Sequence, residues 1–564
     1  MKSKKLYFLY FNFINVYLGL SQAQFRDISG PAGIQHSGNF IGVAVTDFDQ
    51  DGRDDVFVSN RQGPDRLYRN MGNNSFAEVT QLLGLQTPQN TECALWLDIN
   101  HDGWQDLFLG QYESNCRLFL NINGQKLIDI TSISGIENIG NVRACLANDV
   151  DLDGDLDIYV SNLGKENALL INNGALHFEN RILQSGATDS RLSMGATFFD
   201  YDRDGDADLY LIHDANQDFI LYENDGKGNF KDISVKTKAN FKSQGMGVSA
   251  GDFNNDGRMD LYITNLFDNA LLICQPDGTY TDIAKSAGVN DNGMGWGNTY
   301  LDYNNDGWLD IYVCNDYYFS PHRNLLFENL GNMKFNNVAS ATALASQNGS
   351  YGTAWLDIDG NGYQDIFIAN YGKDGNKLFL NNATHPGNWI EFDFNLQRYN
   401  RFGIGTRIVV EANGQSWMQE LAAGSGYASQ NPQRLHFGLG PNTTIDRVVF
   451  YFPGGDQLEW STLSANKRYT VTDDQVFTQT ISIGNEEQVN VFLNSDHSLM
   501  YFTGTEHPLV FVRMTDLHGR MVLSQKSWEK EQGLKISQSL DNGIYLLQYK
   551  LKNRFETKKI IINN

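Results

Sequence analysis

The chain has 564 residues, with 67 Asp and Glu against 43 Lys and Arg, and a formal charge of −24 at pH 7. That sign excludes nucleic acid or an anionic membrane as partner, since both need a basic footprint. The length allows several domains, and no stretch beyond the N-terminal segment is apolar enough to cross a bilayer.

The chain opens on Lys2, Lys4 and Lys5, the apolar run Leu6 to Leu20, and the small-residue segment Ser21-Gln22-Ala23. This order predicts an export signal over 1–23, with no transmembrane segment once it is cleaved. Phe25-Arg26-Asp27-Ile28 then reads as a short strand, similar to Phe230-Lys231-Asp232-Ile233 and Tyr280-Thr281-Asp282-Ile283 farther on.

Seven copies of an acidic nonapeptide follow, starting at Asp47, Asp98, Asp149, Asp200, Asp252, Asp302 and Asp357, at spacings of 51, 51, 51, 52, 50 and 55 residues. The chain is therefore a repeat array. Each copy places oxygens at positions 1, 3 and 5, Gly at 6, a main-chain carbonyl at 7 and a carboxylate at 9, the front part of an oxygen cage for a hard cation. The expected ligands are Asp47, Asp49, Asp51, Arg53 and Asp55 in the first loop, and Asp98, Asn100, Asp102, Trp104 and Asp106 in the second. The third supplies Asp149, Asp151, Asp153, Asp155 and Asp157, and the fourth Asp200, Asp202, Asp204, Asp206 and Asp208. The fifth has Asp252, Asn254, Asp256, Arg258 and Asp260, the sixth Asp302, Asn304, Asp306, Trp308 and Asp310, and the seventh Asp357, Asp359, Asn361, Tyr363 and Asp365. Calcium, one ion per loop and up to seven per chain, is expected over magnesium, which prefers octahedral, water-rich sites. Without ions the clustered carboxylates would repel one another. Seven divalent ions would bring the formal charge to about −10.

Four short strands are predicted per repeat from period-two patterns between Gly, Asn and Asp turns. In the second repeat they are Cys93 to Leu97, Asp106 to Leu109, Arg117 to Leu120 and Leu127 to Thr131. No helical stretch of consequence is expected. The seventh repeat lacks a fourth strand, which the N-terminal Phe25 to Ile28 strand would supply, hiding two sheet edges at once. The expected fold is all-β, a seven-bladed β-propeller over 24–386. Its metal loops would lie on one face. The second-to-third loops and inter-blade links on the other face carry Arg191, Met194, Met246, Trp296, Tyr317, Tyr318 and Tyr351, the expected ligand-binding groups.

The loops continue as Asp157-Ile158-Tyr159-Val160-Ser161-Asn162 or Asp310-Ile311-Tyr312-Val313-Cys314-Asn315. This pattern resembles the FG-GAP or VCBS repeats of integrin-type propellers. The resemblance implies calcium binding and extracellular adhesion or ligand recognition rather than catalysis.

A second β module is predicted over 387–474. Its segments Asn400-Arg401-Phe402-Gly403-Ile404-Gly405, Gly424-Ser425-Gly426-Tyr427, His436-Phe437-Gly438-Leu439-Gly440 and Phe452-Pro453-Gly454-Gly455 resemble the ASPIC/UnbV domain of the cartilage acidic protein-like family. That family usually has Trp where Phe452 stands. Residues 485–564 read as a small β-sandwich. There Asp516-Leu517-His518-Gly519-Arg520 and Leu540-Asp541-Asn542-Gly543-Ile544-Tyr545 resemble the C-terminal sorting domain of type IX secretion. Phe492-Leu493-Asn494-Ser495 stands where that family has Pro-Asn-Pro.

The five cysteines form no C-x-x-C and sit in or beside predicted strands, where a free buried Cys is an ordinary small hydrophobe; their disulfide pairing stays open, and no redox or zinc site is read. The Asp pairs are spaced as ligands and do not flank a sugar-sized cleft, and no H-E-x-x-H or G-x-S-x-G occurs. The expectation is a secreted or cell-surface calcium-binding protein, not an enzyme, that recognises an extracellular protein or glycan and uses the type IX machinery. The alternatives are a polysaccharide- or peptide-processing hydrolase or lyase acting on the non-metal face, and a passive structural surface component.

Overall fold

The computed structural model describes residues 24–473, apart from 86–89, 137–138 and 383–386, and beyond 473 only strands lying between 478 and 562. The expected export signal lies outside the described residues. The architecture is all-β and repetitive. In the second repeat the strands are Thr91–Leu97, Asp106–Gln111, Arg117–Ile122 and Lys126–Asp129, paired antiparallel in that order. The other repeats follow the same plan, each acidic nonapeptide joining first strand to second.

Two devices tie repeat to repeat. First strands lie side by side along the array, and that of the first repeat, Gly38–Thr46, also lies against that of the last, Gly349–Leu356. In addition an Asn at the end of the third strand reaches back to the preceding loop. Asn121 Nδ2 donates to Phe48 O (3.0 Å), Asn172 to Ile99 O (3.0 Å) and Asn224 to Val150 O (2.9 Å). Asn70 of the first repeat does the same to Ile358 O of the last, at 3.3 Å. The strand Phe25–Asp27 pairs with Lys377–Asn381 of the last repeat, in the register Phe25↔Asn381 and Asp27↔Phe379. A pairing of Gly38 and Asn39 with Gly372 and Tyr371 merges first and last repeats into one eight-stranded sheet.

Every first strand carries a register shift near its start, for example between Thr91 and Cys93 and between Gly245 and Gly247. Such bulges re-aim the neighbouring side chain. Four repeats also end in a single helical turn not foreseen from sequence, Ile182–Ser185, Ser234–Thr237, Ala284–Ala287 and Ala339–Thr342.

The next module is two facing sheets. Leu435–Gly440, Asn388–Phe394, Lys467–Val471 and Thr478–Thr480 form one, in that order with the middle pair parallel; Gln415–Glu420, Arg407–Ala412, Thr444–Tyr451 and Gln457–Ser464 form the other. Phe392, Phe437, Phe450 and Tyr469 fill the space between them. Sequence patterning missed Gln457–Ser464, whose residues are mostly exposed. Residues 483–564 form a separate compact unit, in which Gly543–Leu551 pairs with Phe511–Asp516 on one side and Arg554–Ile562 on the other.

Candidate metal centres and the module that covers them

The seven loops share one backbone. Position 4 is left-handed in all of them: Gln50 (φ 57°), His101 (58°), Leu152 (58°), Arg203 (66°), Asn255 (54°), Asn305 (56°) and Gly360 (68°). Gly at position 6 is left-handed as well, from 76° at Gly362 to 100° at Gly154. Two such residues two apart turn the main chain inward and aim its N–H groups at the carboxylates. Asp47 accepts from Asp51 N (3.0 Å) and Gly52 N (2.8 Å), and Asp302 from Asp306 N (2.9 Å) and Gly307 N (2.7 Å). The position-9 carboxylate bridges the third strand and the loop: Asp157 accepts from Asn172 N (2.8 Å) and Val150 N (3.0 Å).

These bonds fix the carboxylates but leave oxygens over. Asp49 Oδ1, Asp151 Oδ1, Asp200 Oδ1 and Asp359 Oδ1 are buried with no hydrogen-bond partner. Oxygens of Asp47, Asp49 and Asp55 converge within 4.8 Å, as do those of Asp149, Asp151 and Asp157, of Asp200, Asp202 and Asp208, and of Asp357, Asp359 and Asp365. Orphaned oxygens converging in a buried, acceptor-only donor set fit a divalent cation held by oxygen. Burial pushes the position-1 carboxyls up, Asp47, Asp149, Asp252 and Asp357 to about 7, and position 9 farther, Asp106 to about 8 and Asp208 to about 9. An ion supplies the charge that would hold them deprotonated.

The loops are not equivalent. In the second, fifth and sixth, position 3 is Asn, and its amide donates to the position-5 carboxylate at 3.1, 3.0 and 3.0 Å. In the first and fifth, Arg53 and Arg258 pair with Asp51 and Asp256. The third and fourth have four carboxylates with an extra Asp at position 7, Asp155 bound to His101 Nε2 (2.7 Å) and Asp206 buried. Affinity rises with ligand charge, and these two have carboxylates at positions 1, 3, 5 and 9 without the Arg53 and Arg69 pairs that offset the first loop, so they are the strongest candidates. At position 7 the ring of Trp308 lies beside Gly331, and Tyr363 Oη donates to Gly387 O (3.0 Å).

The second module lies on these loops. Gly454 N donates to Gly205 O (2.9 Å) and Gly440 N to Asn305 O (2.8 Å). Trp389 closes on Gly362 and Trp417 on Gly307 so tightly that a Cβ on either glycine would overlap the indole. Beneath runs a buried charge network. Arg434 grips Asp54 with both terminal nitrogens, Nη1 at 2.6 Å. Glu391, fully buried, accepts from Arg468 Nε (2.7 Å) and bonds His436 (3.1 Å), whose other ring nitrogen meets Asn305 Oδ1 at 2.7 Å. Burial alone would raise the Glu391 carboxyl, but Arg468, Arg434 and His436 hold it well below the carboxylate range. In the fourth loop both oxygens of Glu420 accept from Asp200 N (3.2 and 3.1 Å). In the sixth and seventh loops the matching N–H is taken by the adjoining repeat, Gln364 on Asp302 N (2.8 Å) and Asp54 on Asp357 N (3.0 Å). Met259 stands there for the fourth and offers only a weakly accepting thioether, and Glu420 of the module takes the N–H instead.

From the same module the segment 423–431 threads among the first strands of the repeats. Ala147 N donates to Ala423 O (2.9 Å), Val248 N to Gly426 O (3.0 Å) and Val45 N to Gln430 O (3.0 Å). Gln430 also bonds Trp96 N (2.8 Å), and Asn431 Oδ1 accepts from Thr299 (3.2 Å) and Trp355 N (3.2 Å). Close approach requires small residues: a Cβ on Gly42 would lie 2.1 Å from Ala428 O. At the tip Tyr427 is fully buried, donating to Glu92 (2.6 Å) and packing on Trp296 at 4.9 Å between ring centres.

Four expected ligand-binding groups belong to this packing. Met194, Met246, Trp296 and Tyr351 stand six residues before their loops, as do Ile41, Glu92 and Arg143. All but Glu92 and Arg143 join one hydrophobic cluster with Tyr427. Met194 and Met246, 3% and 4% exposed, have no surface for a partner, a correction to the sequence reading that follows from the inserted segment. Arg191 is engaged by Asp189 (3.0 and 3.1 Å from Nε). Tyr317 is half-buried, whereas Tyr318 and Phe319 are 55% and 66% exposed, near the sequence position of the exposed Phe267 one repeat earlier. Sulfur fills in a point that the sequence leaves open. Cys93 and Cys145 form a disulfide joining first strands of the second and third repeats, while Cys116, Cys274 and Cys314 are buried thiols.

Comparison with known proteins gives a consistent picture. The FG-GAP-like repeat family matches residues 47–109, 98–160, 149–211, 200–263 and 302–368, ASPIC and UnbV matches 396–476, and the secretion system C-terminal sorting domain matches 488–563. That tail is a sorting domain of type IX secretion, which directs a chain to the cell surface. Cartilage acidic protein 1 of Mus musculus is 26% identical over 199 residues, 33% of this chain and 31% of that protein. The Homo sapiens protein is 26% identical over 199 residues, 33% and 30% of the two chains. The chain thus matches about a third of the length of these relatives. Among solved structures, an Agrocybe aegerita lectin recognising non-reducing terminal N-acetylglucosamine is 17% identical, covering 60% of this chain and 87% of that one, with a TM-score of 0.39. Saccharomyces cerevisiae Sqt1 is 10% identical over 62% and 99%, with a TM-score of 0.39. Both scores are too low to mark a shared fold.

Proposed function

Because the chain belongs to the FG-GAP-like repeat family, we propose that it is a calcium-loaded recognition protein of the cell surface. In this reading it is a closed seven-bladed β-propeller that binds an extracellular protein or glycan on the face opposite its cation loops. Closure is supported by the Phe25–Asp27 pairing with the last repeat and by the Asn70 bond to Ile358. The observation that carries the binding face is the seat of the ASPIC and UnbV module. It covers the cation loops and fills the centre from their side, leaving the opposite loops, which differ in length and chemistry around a fixed scaffold, as binding loops do. Phe267 there is left-handed at φ 72° and 52% exposed, a backbone conformation unusual for an aromatic residue, and Tyr318 and Phe319 in the corresponding loop of the next repeat are exposed as well. Exposed aromatics with polar neighbours suit a sugar ring or a protein anchor. Catalysis is not part of the proposal, because the converging carboxylates serve as loop ligands.

The test is a glycan array and pull-down with calcium-loaded protein, followed by Tyr318→Ala and Phe267→Ala on the ligand found. Loss of about 2 kcal/mol, roughly thirtyfold in affinity, is expected for a central aromatic anchor. Wild-type affinity in both, with loss from substitutions in the cation loops of folded protein, would place the ligand on the other face. Release of sugar or peptide from the ligand would favour a hydrolase or lyase instead.

A further inference from the structure

Between the fourth cation loop and the ASPIC and UnbV module lies a cavity of about 260 Å³. Asp200, Arg203 and Asp204 line it from the loop, and Arg407, Tyr451 and Gln457 from the module. Its rim is fixed by the Gly454 to Gly205 hydrogen bond.

Its two cations set it apart from the rest of the interface. Arg434 and Arg468 are spent on Asp54 and Glu391. Among the described residues, by contrast, no carboxylate lies within ion-pair distance of Arg203 or Arg407, although Arg407 is near enough to Asp200 and Glu420 to draw both carboxyls down. Arg407 stacks 4.2 Å from the centre of the Tyr451 ring, and its Nε is buried without a hydrogen-bond partner. Stacking fixes the guanidinium while leaving its donors unused, a pre-organised anion receptor. Asp200, 8% exposed, also has an oxygen without a partner. With a cation in the fourth loop, Asp200 and Asp204 act as its ligands, and the guanidinium groups dominate the field in the cavity.

A ligand for this lining needs a carboxylate for the two arginines and hydroxyl donors for Asp204. The volume lies just under the ~300 Å³ at which pockets for drug-sized ligands begin, so it suits one ring rather than a folded peptide. An apolar ligand would strand every charged group around it.

We propose that this cavity binds a carboxylated monosaccharide, such as a uronic-acid unit of an acidic polysaccharide, with its carboxylate on Arg203 and Arg407 and ring hydroxyls on Asp204. The site is separate from the opposite binding face and takes the fourth loop as cation-loaded. Saturation-transfer NMR and calorimetry on calcium-loaded full chain, with D-glucuronate, D-glucose and sulfate as probes, test it. Glucuronate should bind at least tenfold more tightly than glucose, which lacks the carboxylate, or sulfate, which lacks the hydroxyls. Arg407→Gln should abolish that preference. Arg203→Gln should weaken glucuronate severalfold without disturbing the fold, since Gln50 already adopts the same left-handed position at φ 57°. No glucuronate binding, equal binding of glucose, or unaltered binding in Arg203→Gln would overturn the proposal. The calcium-dependent melting shift, recorded on the same samples, separates failure of this site from failure of the cation reading.

Discussion

Chelation of calcium should lower the unfolding temperature of this protein by more than any single substitution, and the loss should grow as pH rises. An ion bound only by the native state stabilises it by RT ln(1 + [L]/Kd), about 1.4 kcal/mol per site at tenfold excess over Kd and at most about 10 kcal/mol for seven independent sites. The sites are not independent, because Asn121, Asn172 and Asn224 tie each loop to its neighbour. The pH dependence follows from burial. Without ions the position-1 and position-9 carboxyls are raised from an ordinary value of 3.8 to about 7 at Asp47 and about 9 at Asp208. The folded state then binds more protons than the unfolded one. Their contribution to stability is full below pH ~4 and is lost as pH rises through 7 to 9. Ion-free protein should accordingly melt higher at pH 5 than at pH 8.5. Loaded protein should show the opposite trend, because protons compete with calcium for the same oxygens. Melting curves in calcium and in chelator across this range, with metal analysis confirming removal, decide it; parallel pH trends would contradict the assignment.

The second large effect is expected at Arg434. Arg434→Ala leaves Asp54 (4% exposed) and Glu391 (0%) as buried carboxylates beside the remaining cation Arg468. Breaking a buried pair by removing one partner costs about 3–5 kcal/mol, chiefly through the stranded charge. The module should then loosen from the loops, seen as earlier proteolysis within 387–474 and a lower first melting transition. Asp54→Asn with Arg434→Met removes both charges and should recover much of the loss. Unchanged melting in Arg434→Ala would show that the network does not hold the module in place.

The repeat plan was legible because each unit is local. Period-two strands, the Asp and Gly spacing and the Phe25 strand are all read within a few residues, and the described strands fall within a few residues of those expected. The left-handed turn at position 4 was not legible. Gln50, His101, Leu152 and Arg203 share no chemistry; the carboxylates of the loop impose the turn by drawing main-chain N–H groups inward. The inserted segment escaped detection for a similar reason. Its partners stand six residues before each loop, and Ile41, Glu92, Arg143, Met194, Met246, Trp296 and Tyr351 have in common only their register. Small residues one position on, Gly42, Gly195, Gly247, Gly297 and Gly352, were the available signal that something approaches closely. The Cys93 to Cys145 bond spans 52 residues and joins neighbouring repeats, which no local pattern reports.

The central claim, that each acidic loop holds a calcium ion, is tested most directly by counting. Chelator-treated protein dialysed against graded free calcium and analysed for bound metal should approach one ion for each of the seven loops. Half-saturation is expected in the ~10⁻⁴ to 10⁻³ M range of extracellular modules. Asp157→Asn and Asp208→Asn, in the third and fourth loops, should each remove one ion from the tighter class. Protein that remains folded and metal-free at millimolar calcium would contradict the account.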